Sequence, residues 1–190
     1  MNNAPPLYIL RHGETEWNLA GRLQGRFDAP LTPEGIRQAQ MQRRILKGRD
    51  LSRFSAISSP QGRAMETARL ALDGLLAPIH ADPALAEIGL GEWAGRYRSE
   101  VMAESGARDG FDLYELAPEG EGFAELHARC QRFLRRLQGP AVLITHGITS
   151  RMLRLILTGR SIAALREIDG GQGVVFHLVD GVQRRLTIGG

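Results

Sequence analysis

A chain of 190 residues, 43% apolar and 24% charged, can bury a full core without disulfides or metals and reads as one domain over residues 1–190. Its 24 basic and 21 acidic residues leave a formal charge of only +3, and the arginines are scattered rather than gathered in one run, so no nucleic-acid partner is expected and a site for small anions suits the balance equally well. The lone Cys130 cannot close a disulfide within the chain, Met1 to Pro6 carries no basic-then-apolar targeting pattern, and no segment approaches the roughly 20 apolar residues that span a bilayer, which predicts a cytoplasmic protein with no membrane partner.

Leu7 to Leu10 is a short apolar run with a β-branched residue and predicts a buried strand. Pro33 to Leu46 predicts a helix, with Thr32 as N-cap, Pro33 at the first helical position and Gly48 just past the end. Phe54 to Ser58 is a second strand candidate, and Arg63 to Leu76 has helical composition. Ser105 to Gly120 mixes Gly, Pro and polar residues and reads as a loop or irregular insertion over the site. Glu121 to Leu137 predicts a helix with Phe123, Leu126, Phe133, Leu134 and Leu137 on its apolar face. Ala141 to Thr145 is a third buried strand, with a helix following from about Ile148 to Leu157. Gly170 to Gly173 precedes a strand rather than a helix and reads as a loop, not a dinucleotide fingerprint. Val174 to Val179 and Val182 to Ile188 flank Asp180-Gly181, a hairpin signal. Strands alternating with helices predict an α/β fold in three layers: a largely parallel sheet, helices on both faces, and an antiparallel strand at one edge.

The polar residues that matter sit at strand ends. Leu7 to Leu10 runs into Arg11-His12-Gly13, Ala141 to Thr145 into His146-Gly147, and Phe54 to Ser58 towards Arg63 at the start of a helix. Ligands of open parallel sheets bind at the carboxyl ends of the strands, so adjacency of these three strands would gather His12, His146, Arg11 and Arg63 at one edge. Arginines offer fork-shaped, permanently charged donors that match phosphate oxygens. The glycines after each histidine allow close backbone approach to a ligand, and the Gly147 and Ile148 amides at a helix start add donors for an anion. Neutral imidazole is a competent nucleophile towards phosphorus, and neighbouring arginines disfavour its protonated form. His80, His127 and His177 lack this context and read as ordinary polar residues; Arg43, Arg132 and Arg135 read as solvated helix faces, and Trp17 and Trp93 as packing residues. No metal is expected, since no two histidines stand three or four residues apart and one cysteine cannot build a thiolate site.

The run Leu10-Arg11-His12-Gly13-Glu14-Thr15-Glu16-Trp17-Asn18 resembles the signature of the histidine phosphatase superfamily, in its phosphoglycerate mutase-like branch. The resemblance continues through Gly21 to Gly25, Asp28 to Thr32, Ser58-Ser59-Pro60 with Arg63 to Ala68, Leu85 to Gly95, and Ala141 to Gly147, in the family's order. It implies a small phosphatase acting through a phosphohistidine on His12. Arg11, Arg63 and His146 would bind the phosphoryl oxygens with the Gly147 backbone, while Asn18, Gln24 and Gly25 would add contacts to phosphate or substrate. Glu87 would protonate the leaving oxygen and then activate water; Glu92 is a rival for that role, and Glu14 and Glu16 would shape the turn or cap its short helix. No cofactor is implied.

Pro118 to Gly122 resembles a Pro-Gly-Glu-Ser block of such phosphatases, with Gly122 at the Ser position. The stretch between Glu87 and His146 is short, which favours hydrolysis of a small-molecule phosphate ester over mutase-type phosphoryl transfer. A non-catalytic phosphate-binding protein is the third reading. The substrate is open, as is the choice between monomer and homodimer.

Overall fold

The computed structural model describes residues 4–189, so the reading of Met1 to Pro6 for a targeting signal falls partly outside the described residues. Among the described residues six strands form one sheet in the order β3-β2-β4-β1-β5-β6. They are β1 (Leu7–Arg11), β2 (Ser55–Ser58), β3 (Ile79–Ala81), β4 (Ala141–Thr145), β5 (Val175–Val179) and β6 (Val182–Leu186). β1, β4, β2 and β3 run parallel, while β5 pairs antiparallel with both β1 and β6. The hairpin turns on Asp180 and Gly181, both at positive φ (50° and 76°), the conformation that a two-residue Asp-Gly loop favours.

Among the described residues seven α-helices accompany the sheet: α1 (Glu16–Leu19), α2 (Pro33–Lys47), α3 (Gly62–Leu72), α4 (Arg98–Ser105), α5 (Asp112–Leu116), α6 (Gly122–Arg136) and α7 (Gly147–Leu157). Thr32 caps α2 by accepting from the Gly35 amide, as the Thr-Pro start predicts. Side-chain alternation along the central strands divides the core in two. Leu7, Ile9, Ala141 and Leu143 face α6 and α7 with Leu126, Cys130, Phe133, Met152 and Leu153. Tyr8, Leu10, Val142 and Ile144 face α2 and α3 with Leu46, Ala64, Ala68 and Leu72. The three-layer expectation is borne out, as is the apolar face of α6, to which Cys130 also belongs. β4 is buried along its whole length, as a central strand covered on both faces must be.

Two local expectations need correction, and two elements had no assignment from sequence. α3 stops at Leu72 rather than Leu76, because Gly74 takes φ +68° and turns the chain away. The three-residue β3, between Pro78 and Asp82, is too short to show a period. Residues 98–105, unassigned from sequence, form α4. The region from 105 to 120 is not plain loop: Asp109 accepts from the Phe111 and Asp112 amides and starts α5. α4 and α5 enclose a third small core of Leu23, Leu90, Val101, Leu113 and Ala117, against which Trp93 packs.

Candidate active site

The sheet order brings the strands that end in polar residues side by side, as β2-β4-β1. Register completes the alignment. Arg11 pairs with Thr145, the His12 amide donates to Thr145 O at 2.9 Å, and the Ser59 amide donates to Ile144 O at 2.9 Å. His12 and His146 therefore emerge next to one another, ring centroids 5.1 Å apart and planes tilted by 59°. Both are buried, at 3% and 0% exposure. Arg11, His12, Asn18, Gln24, Gly25, Arg63, Glu87 and Gly147 line a single cleft of ≈ 200 Å³.

His12 Nδ1 lies 2.7 Å from Gly13 O. A carbonyl only accepts, so Nδ1 carries the proton and Nε2 keeps its lone pair. Burial holds the imidazole well below its ordinary pKa, and the Arg11 and Arg63 guanidiniums push the same way. His146 is lowered well below the usual range by burial, then by Arg63, His12 and Arg11. Its Nε2 meets Ser59 Oγ at 2.7 Å, while its Nδ1 is buried without a hydrogen-bond partner.

Arg63 is fixed by the 25–28 loop. Its Nη1 donates to Phe27 O at 2.7 Å and to Asp28 Oδ1 at 3.1 Å, its Nη2 to Gly25 O at 3.1 Å, and its amide to Asp28. Asp28 and Gly25 thus hold an arginine whose side chain is only 1% exposed. The Nε atoms of Arg11 and Arg63 are buried and unpartnered, like His146 Nδ1. Two guanidinium donors of residues that line the cleft thus lack protein acceptors, which is what an anion site of charge-assisted bonds requires.

Glu87 reaches the start of α7. Its Oε2 accepts from the Ile148 amide at 3.2 Å; its Oε1 accepts from the Ile88 amide (3.1 Å), the Thr149 amide (3.1 Å) and Thr149 Oγ1 (3.0 Å). The Ile148 amide, expected to serve a ligand, is occupied by this carboxylate, which sits where the α7 dipole favours negative charge. The Gly13 expectation also changes. An added Cβ there would lie 2.2 Å from Gly35 O, so the missing side chain lets the histidine loop pack against the start of α2. Gly147 does line the cleft, with Arg11 and Glu87 as its nearest side chains.

Thr15 caps α1, and Asn18 completes the capping box by accepting from the Thr15 amide through Oδ1. The Gln24 amide donates to Thr15 Oγ1, and Gln24 Oε1 is buried without a partner. Glu14 accepts from Thr32 Oγ1 at 2.8 Å and so shapes the turn, and Glu16 opens α1. Glu92 is exposed and lies outside the cleft. Sequence reasoning missed Ser59 beside His146, Gln61, which joins Gly25 O to the Glu87 amide, and the outer lining of Arg22, Arg98, Tyr114 and Arg151. Ser59 and Arg22 stood within the quoted motifs without a role, and Gln61 between two of them; the other three come from separate elements with no local pattern. Among the described residues, no group of three or more His, Cys, Asp or Glu side chains could hold a metal ion, and no helix is long and apolar enough to cross a membrane.

A family model described as the histidine phosphatase superfamily (branch 1) matches residues 7–181. The chain belongs to that superfamily, and the expected fold and enzyme class, a histidine phosphatase, are borne out. It is 35% identical over 162 residues to the adenosylcobalamin/alpha-ribazole phosphatase of Salmonella typhimurium, covering 80% of this chain and 79% of the relative. It is 33% identical over 172 residues to a Proteus mirabilis protein named "Probable phosphoglycerate mutase GpmB", covering 85% and 79%. The crystal structure of the alpha-ribazole phosphatase from Shigella flexneri superposes with a TM-score of 0.81 at 28% identity, over 96% of this chain and 95% of that one.

Proposed function

We propose that the protein hydrolyses the phosphomonoester of a small metabolite in two steps, with His12 as the phosphoryl carrier. One observation carries this reading: a buried His12 held well below its ordinary pKa, with its Nε2 lone pair available, beside the unpartnered donors Arg11 Nε and Arg63 Nε. In the first step Nε2 attacks phosphorus, the P–O bond to the leaving group breaks, and the leaving oxygen takes a proton. In the second, water attacks the phosphohistidine, gives up a proton, and releases inorganic phosphate with His12 restored. Arg11 and Arg63 offset the charge on the phosphoryl oxygens in both transition states.

His146 joins them as a donor when Ser59 Oγ–H donates to its Nε2 and leaves the proton on Nδ1. Asn18 Nδ2 contributes from the end of the short helix, since Oδ1 is already engaged. A half-turn of the Gln24 amide about its last bond lets Thr15 Oγ–H donate to the Gln24 oxygen and turns the NH2 towards the cleft. Gly25 acts through its carbonyl, which fixes Arg63, and the Gly147 backbone lines the floor of the site.

Glu87 is the proton carrier. Two backbone amides hold Oε1, beside a Thr149 hydroxyl whose one proton also faces Ala86 O, and one amide holds Oε2, so the carboxyl is oriented while Oε2 is the freer oxygen to give and take the proton. Exposure of Glu92 away from the cleft supports this choice over its rival. The buried, unpaired Cys130 fits a reducing, cytoplasmic setting. The test is phosphate release from p-nitrophenyl phosphate in excess EDTA, wild type beside His12→Ala. Turnover abolished by the substitution supports the reading; EDTA-sensitive turnover, or turnover that survives in His12→Ala, contradicts it. Activity on phosphoglycerate that depends on a bisphosphate primer would move the chain to the mutases instead.

A further inference from the structure

The charge of the cleft exceeds what one phosphate needs. Five arginines line it (Arg11, Arg22, Arg63, Arg98 and Arg151) against a single carboxylate, Glu87. Arg11 and Arg63 flank His12, and Asp28 already pairs with Arg63. Arg22, Arg98 and Arg151 remain, and no Asp or Glu among the described residues pairs with them; their polar partners are backbone carbonyls and the Tyr114 hydroxyl.

Nearby arginines behave differently. Arg96 pairs with Glu104, Arg108 with Asp112, and Arg166 with Asp109 and Asp112. The same part of the chain neutralises the arginines outside the cleft and leaves those lining it unneutralised. Their contacts also fix them. Arg98 Nη2 donates to Tyr114 OH at 3.0 Å, Arg151 Nε to Ile168 O at 2.9 Å, and Arg22 Nε to Gly95 O at 2.9 Å, with the Arg22 guanidinium 4.3 Å from the Trp17 ring centre. Each guanidinium has five N–H donors, so several on each remain for a ligand.

We infer that Arg98, Arg151 and Tyr114, together with Arg22, form a second anion subsite, and that the substrate carries a carboxylate or second phosphate beyond the ester that is cleaved. The inference rests on the phosphatase reading above and names the substrate class for that site. A neutral alcohol portion would leave these guanidiniums facing no counter-charge. A second anion would take paired, charge-assisted bonds from them and fix the distance between its own attachment point and the phosphorus.

The test uses His12→Ala protein, which lacks the proposed nucleophile, and titration calorimetry with matched ligands. The pairs are 3-phosphoglycerate against glycerol 3-phosphate, and fructose 1,6-bisphosphate against fructose 6-phosphate; the first tests a carboxylate and the second a phosphate. At least one dianionic-bodied ligand should bind about tenfold or more tighter than its partner, and Arg98→Gln with Arg151→Gln should bring that ratio to within about twofold. Ratios near one for both pairs in the His12→Ala protein overturn the inference, even if the double substitution does not fold. A preference that survives the double substitution overturns it too. These ratios need no turnover, so a failure of the phosphatase reading shows separately, in the wild-type assay with p-nitrophenyl phosphate.

Discussion

Lowering the pH from 7.5 to 5.5 should destabilise the fold chiefly through His12 and His146. Both imidazoles are buried and both are held well below the ordinary histidine range, first by burial and then by the arginines of the cleft. In the unfolded chain each takes up a proton as the pH falls through about 6.5. In the folded protein neither does so until the pH is far lower. The unfolded state therefore binds more protons in this window. The stability is fully present above about pH 6.5 and is lost as the pH falls towards the folded-state values. For one such group the loss between pH 7.5 and 5.5 is about 1.4 kcal/mol, so the pair contributes about 3 kcal/mol. His177, half-buried and also lowered by burial, adds a smaller contribution of the same sign. Equilibrium urea unfolding at the two pH values, in phosphate-free buffer, measures the difference. His12→Gln and His146→Gln should each remove about half of it. A wild-type change below about 1 kcal/mol, or variants as pH-sensitive as the wild type, would refute the picture of two neutral buried imidazoles.

Further outcomes follow from individual contacts. Ser59→Ala removes the partner of His146 Nε2 and with it the preference for a proton on Nδ1; kcat/KM should fall about tenfold or more while Tm moves only a few degrees, and an unchanged kcat/KM would count against the hydrogen bond's role. Glu87→Gln should cost about a hundredfold or more on an alkyl phosphate and much less on p-nitrophenyl phosphate, whose leaving group needs no proton, with Glu92→Gln changing neither by more than about twofold; the reverse pattern would move the acid to Glu92. Gly13→Ala forces a Cβ to 2.2 Å from Gly35 O with backbone on both sides, so urea unfolding should show a loss of about 3 kcal/mol or more; a near-neutral result would mean that the loop can shift away from α2.

The inner site was legible because its residues stand where a strong pattern breaks. Leu7 to Leu10 and Ala141 to Ile144 are unbroken apolar runs, as strands covered on both faces must be, and one polar residue after each stands a histidine followed by a glycine. What those runs do not encode is which strands are neighbours; the parallel pairings of β4 with both β1 and β2 supply that. The use of the Ile148 amide by Glu87 was hidden for the same reason, since the carboxylate reaches α7 from 61 residues away in sequence. Gly13 was legible as a glycine that matters and not as one that serves Gly35, because the sequence does not state what approaches it. α5 and β3 are too short for periodicity to register, although Asp109 ahead of Phe111 and Asp112 was a usable start signal. The outer arginines were the least legible. Arg22, Arg98 and Arg151 look like any other arginine until the fold separates those with carboxylate partners from those without.

The most direct measurement of the central claim is a rapid-quench experiment with radiolabelled phosphomonoester, stopped in alkali, in which phosphohistidine survives, followed by peptide mapping. The account predicts a transient label on the peptide containing His12, carried by Nε2, and no label in His12→Ala. Label on another residue, or full turnover with His12 replaced, would contradict it.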